Sequence, residues 1–169
     1  MKYPVITVLT ALLSFVGAQE TCESLLAGLG ATLGQTATLT RETKVKAGFI
    51  EVASFTTLVE QTASGLEFTV LEGSGPNQRG ADGSERQEGW LGPLDVNQLS
   101  CSGHTLNEAD GVYRLELSAA EVPDMENLVL DIQPETYQLE AMWAKIRPPN
   151  MPFTAALETT FSDWRSADE

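Results

Sequence analysis

Over its last third the chain alternates apolar and polar residues with a period of two, segment after segment, and this restricts the fold more than any other feature. Tyr113, Leu115 and Leu117 alternate with Arg114 and Glu116; Leu128, Leu130 and Ile132 alternate with Val129 and Asp131. A period of two places successive side chains on opposite sides of a strand, so each segment can bury one face. Gln133-Pro134-Glu135-Thr136 supplies a turn, because proline presets the backbone and lacks a ladder donor. Tyr137, Leu139, Ala141 and Trp143 are then predicted to share one face of the next strand, and Phe153, Ala155, Leu157 and Phe161 one face of the last. The connector from Arg147 to Pro152, with Pro148, Pro149 and Pro152, must be extended.

Upstream the texture is also that of strands. Residues 36–43 and 44–61 are rich in threonine, valine and aromatic residues and can supply two or three strands, with Gly48 marking a bend or bulge. Ala63-Ser64-Gly65 is a natural turn before Leu66, Phe68 and Val70, which point one way while Glu67 and Thr69 point the other. Residues 73–88 hold no aromatic residue and no aliphatic one larger than Ala81, which predicts an exposed loop over 73–89. Leu94 to Cys101 reads as a short strand or turn. Only residues 21–35 read as a substantial helix: Leu25, Leu26, Leu29 and Leu33 collect on one face, with Thr21 as cap and Glu23 in the first turn. Gly28, Gly30 and Gly34 each cost a helix about 1 kcal/mol relative to alanine, so this one must lean on tertiary packing, and they let it lie close to a sheet. A helix followed by successive antiparallel strands predicts an α+β fold, the N-terminal helix packed against a curved antiparallel β-sheet that forms an unclosed half-barrel.

The N-terminus reads as an export signal. Lys2 is followed by an apolar stretch from Val5 to Val16, and Val16-Gly17-Ala18 offers small residues for cleavage after Ala18. The stretch is shorter than the roughly 20 apolar residues that span a bilayer, so no transmembrane anchor is expected after cleavage. Residues 1–18 are thus the signal peptide and residues 19–169 a single β-rich domain, placed in the periplasm or outside the cell. Lys2 is the only charged residue removed, so the net charge moves from −14 to −15. Such a field repels nucleic acid and anionic headgroups. Cys22 and Cys101 allow one intramolecular pairing, which an oxidising compartment favours. The chain-entropy argument gives such a long loop roughly 4.5 kcal/mol as an upper value.

Catalytic signatures are missing. Cys101-Ser102-Gly103-His104 sets a thiol near an imidazole, but with both cysteines oxidised and no further ligands at recognised spacing, His104 is read as a solvated loop residue. There is no Gly-x-Ser-x-Gly elbow, no P-loop and no dinucleotide-binding glycine pattern, and Asp82-Gly83-Ser84-Glu85 lacks EF-hand spacing. A non-enzymatic protein without cofactor or metal is the reading. The remaining constellation is an apolar stripe of Phe68, Tyr113, Leu115, Leu130, Leu139, Trp143, Phe153, Leu157 and Phe161. It forms either a packed core or the lining of an apolar cavity, since alternation reveals burial and not what covers the face.

Within residues 112–164 the strand order and the phrases Leu128-Val-Leu-Asp-Ile-Gln-Pro-Glu-Thr-Tyr-Gln-Leu-Glu and Phe161-Ser-Asp-Trp resemble the end of periplasmic lipoprotein-carrier domains of the LolA/LolB type and their LppX/LprG-like relatives. The resemblance implies an unclosed antiparallel barrel with a helical lid over an apolar cavity for acyl chains. The chain differs from that pattern in its few helical segments, its polar insertion at 73–88 and its cysteine pair. Two functions follow as expectations. One is a non-catalytic binding protein for an acyl chain or the lipid moiety of a lipoprotein; the other is a cell-envelope structural or protein-interaction module with a filled core.

Overall fold

The computed structural model describes residues 20–73, 89–91, 94–118, 125–147 and 154–167. The expected signal peptide, Phe153 and all of the predicted loop but Gly73 and Gly89 lie outside the described residues.

Helix α1 spans Cys22–Gln35 and begins where the sequence placed it. Thr21 Oγ1 accepts from the Ser24 amide at 3.1 Å, and Ser24 Oγ accepts from the Thr21 amide at 2.9 Å, so two donors that the helix cannot use are satisfied reciprocally. Cys22, Leu25, Leu29 and Leu33 are buried. Burying each leucine contributes about 1.5–3 kcal/mol, which offsets the glycine cost.

Among the described residues eight antiparallel strands follow: β1 Thr36–Ala47, β2 Ile50–Thr62, β3 Gly65–Gly73, β4 Ser100–Asn107, β5 Val112–Ser118, β6 Met125–Ile132, β7 Leu139–Ile146 and β8 Ala155–Ser166. They form one sheet in the order β3-β2-β1-β8-β7-β6-β5-β4, so β3 and β4 are its edges and it does not close. The last strand returns beside the first, joining the β1–β3 meander to the β4–β7 meander. Gly48 is neither bend nor bulge: Ala47 pairs with Ile50, and Gly48-Phe49 is the two-residue turn between β1 and β2, with φ +62 at the glycine. A short 3-10 turn, Val96–Gln98, capped by Asp95, leads into β4.

One face of the sheet, here the inner face, carries α1. Leu25, Leu29 and Leu33 join Leu39, Val59, Leu115, Leu117, Leu128, Leu130, Ile132, Leu139, Met142, Ala144 and Phe161 in one core, completed by Leu91 and Leu94 from the segment before β4. The expected disulfide is present: Cys22 at the start of α1 bonds Cys101 on edge strand β4, with Cα atoms 6.1 Å apart across 79 residues of chain. The far part of the helix rests on the β6–β7 turn, where Thr32 Oγ1 donates to the Thr136 carbonyl at 3.1 Å.

Candidate functional site

The strand registers sort every side chain onto the inner or the outer face. Across the sheet one inner row runs Cys101, Leu117, Leu128, Ala144, Leu157, Val45 and Ala53. The next runs His104, Leu115, Leu130, Met142, Thr159, Thr43 and Phe55. Of the predicted stripe, Leu115, Leu130 and Leu139 are wholly buried and Phe161 nearly so. These four are core. Phe68, Tyr113 and Leu157 are partly buried against that core; Leu157 lies in the row nearer the β1–β2 hairpin, and Phe68 and Tyr113 toward the opposite ends of their strands.

Trp143 does not belong with them. Ile132 pairs with Leu139 but Asp131 pairs with Ala141, so Glu140 is an extra residue in β7 and the alternation changes phase there. Leu139, Met142 and Ala144 therefore face the core, whereas Ala141 and Trp143 lie on the outer face. There the Arg114 guanidinium lies 5.0 Å from the Trp143 ring centre and forms a two-pronged pair with Asp131, Nε to Oδ1 at 2.9 Å and Nη2 to Oδ2 at 2.7 Å. The hydrogen bond from Arg114 to Asp131 raises the guanidinium pKa above its ordinary value, against the opposing effect of burial. His104 is likewise not a solvated loop residue. It stands on β4, half-buried, with its ring centre 6.4 Å from that of Tyr113.

The inner face also holds polar groups that the alternation conceals. Arg41, Thr43, Thr57 and Thr159 are buried. Arg41 and Thr43 share parity with Leu39 and Val45 in β1, which is the signal that could have placed them inside; an arginine in a strand ordinarily reads as solvent-facing. Arg41 Nη1 donates to the Gly89 carbonyl at 3.4 Å, and its guanidinium lies 5.4 Å from the Phe68 ring centre. The Thr43 and Thr159 hydroxyls are 3.1 Å apart.

Coverage of this face is unequal. Where α1 lies, the inner side chains of β5 to β7 are sealed. Toward the β1–β2 hairpin, Val45, Ala53, Phe55, Leu157 and Ile146 are only half-buried, though their pairing places them on the same face. Among the described residues the inner face combines an apolar strip with a hydroxyl patch, the Arg41 guanidinium and the His104 imidazole. Among the described residues no group of three or more histidine, cysteine or acidic side chains could hold a metal ion.

At the helix, the Tyr137 hydroxyl donates to Glu20 Oε1 at 3.1 Å. This bond, the charge of Glu20 and, to a smaller extent, burial raise the phenol pKa above its usual value near 10.

No protein-family model matches the chain, and no curated protein does. Among solved structures, the crystal structure of a DUF1329 family protein from Desulfovibrio piger is similar at 9% identity over 88% of this chain and 94% of that one, with a TM-score of 0.35. Neither residues nor function carry over at that level. The resemblance to the lipoprotein carriers thus stays with the C-terminal phrases that carry it.

Proposed function

We propose that the protein is a non-catalytic binding protein, periplasmic or secreted, that takes an acyl chain or the lipid moiety of a lipoprotein against the inner face of its sheet. The observation that carries this reading is the half-buried apolar strip of Val45, Ala53, Phe55, Leu157 and Ile146 beside a core that α1 has already sealed. An acyl chain laid on that strip would gain roughly 25 cal/mol for each Å² of apolar surface removed from water. Support for the compartment comes from the disulfide and from the absence, among the described residues, of any helix long and apolar enough to cross a membrane.

A second reading, an envelope protein-interaction module, draws on edge strand β3, where Val70 and Leu71 are exposed and neither proline nor lysine protects the edge. Native mass spectrometry of detergent-free mature protein, with lipid extraction from the same sample, separates the two. Stoichiometric acyl cargo, lost in a folded Leu157→Asp variant, is the outcome for a carrier. A clean apo mass with no uptake of an offered fatty acid would transfer the weight to the module.

A further inference from the structure

Among the described residues, the apolar side chains at the tip of the β1–β2 hairpin take no part in the core. Phe49 is 107% exposed, as open as in an extended peptide, and Ile50 and Val52 follow at 70% and 59%, the three largest values among the described large apolar residues. With Ala47 paired to Ile50, the two-residue turn projects Phe49 past the last rung of the ladder. Three apolar side chains on a narrow projection form a wedge, and a wedge buries little against a flat rigid surface. A deformable apolar medium can close around it.

Charge at this end of the sheet agrees with that choice. Lys44, Lys46, Lys145 and Arg147 stand here with Glu42, Glu51, Glu126 and Glu158, with Glu72 and Glu116 farther out on the same rungs, and three ion pairs tie six of these groups: Lys44–Glu42 at 3.0 Å, Lys46–Glu158 at 2.6 Å and Arg147–Glu126 at 2.9 Å. Beside the hairpin the basic groups offset most of the acidic ones, in a chain whose net charge is −14. The hairpin end can thus approach a surface with less of the repulsion that the rest of the molecule would meet, and it gains no attraction from an anionic one. The half-buried strip of the inner face, Val45, Ala53, Phe55 and Leu157, lies in the rungs next to this tip.

We propose that the β1–β2 hairpin tip is a lipid-docking point: Phe49, Ile50 and Val52 enter the interface of a zwitterionic phospholipid surface and set the open end of the inner face against the acyl chains. Its purpose rests on the acyl-binding reading above; its geometry does not. Mature wild-type protein should co-sediment with phosphatidylcholine vesicles, and no more strongly when phosphatidylglycerol is added. Phe49→Asp, in an exposed turn that leaves the core intact, should lower partitioning by about tenfold or more, while Phe49→Trp retains it and becomes quenchable by brominated lipid. Wild-type protein that stays in the supernatant, or variants Phe49→Asp and Ile50→Asp that bind like wild type, would overturn docking. So would a wild-type dimer that Phe49→Asp makes monomeric, since a second copy would then cover the tip. Uptake of a fatty acid delivered from solution separates the two proposals: docking predicts that Phe49→Asp leaves it unchanged, and its loss from wild type would sink the carrier reading alone.

Discussion

Tyr137 and Gly28 meet where α1 crosses the β6–β7 turn, and each constrains the other. A Cβ on Gly28 would stand within 2.5 Å of Cγ of the Tyr137 ring, while Tyr137 holds φ at +53, a region aromatic residues seldom occupy. Alanine favours a helix by about 1 kcal/mol over glycine, yet overpacking costs about 1–3 kcal/mol, so Gly28→Ala should lower stability in urea melts. Gly30 and Gly34 carry no such clash, so of the helix glycines the sequence singled out, only Gly28 is required by a close approach. Tyr137 also predicts an alkaline weakness. With its folded pKa raised, its contribution is complete below the ordinary value near 10 and is lost as pH rises through the folded value, because the unfolded chain ionises first. Tyr137→Phe should flatten the pH dependence of the melting temperature above about pH 10.

At the scale of elements, α1 is held by its leucines and by one covalent tie. Cys22→Ser with Cys101→Ser should cost about 2–5 kcal/mol, measured as a shift in denaturant midpoint, and should raise hydrogen exchange in α1 more than in β6 and β7. The helix was legible because its cap and its apolar spacing are local. The hairpin turn at Ala63-Ser64 and the turn at 134–136 were legible for the same reason. Bulges were not. Nothing around Glu140 announces an extra residue, since a bulge is defined by what the partner strand does, and that single residue sends Trp143 to the outer face. The sequence marks Gly48 as a bend or bulge, but whether such a residue turns a chain or bends it depends on whether the flanking segments pair with each other.

As a whole molecule the protein combines a sealed core with an acidic exterior. Self-repulsion at a net charge of −14 opposes compaction, so the melting temperature should rise between low salt and about 150 mM salt as the Debye length falls to about 8 Å. A melting temperature that ignores salt would mean that local ion pairs already neutralise the field. The amino-acid sequence by itself determined the β-rich class, the N-terminal helix with its cap, the two cysteines that could pair and the apolar alternation of β5, β6 and β8. Each of these follows from period and chemistry over a few neighbouring residues. Only the tertiary structure decided the strand order that returns β8 to β1, the burial of Arg41 and three threonines, the exile of Trp143 and the exposure of Phe49. Those depend on register between segments far apart in the chain, and a one-residue shift in register reverses the face of every side chain beyond it.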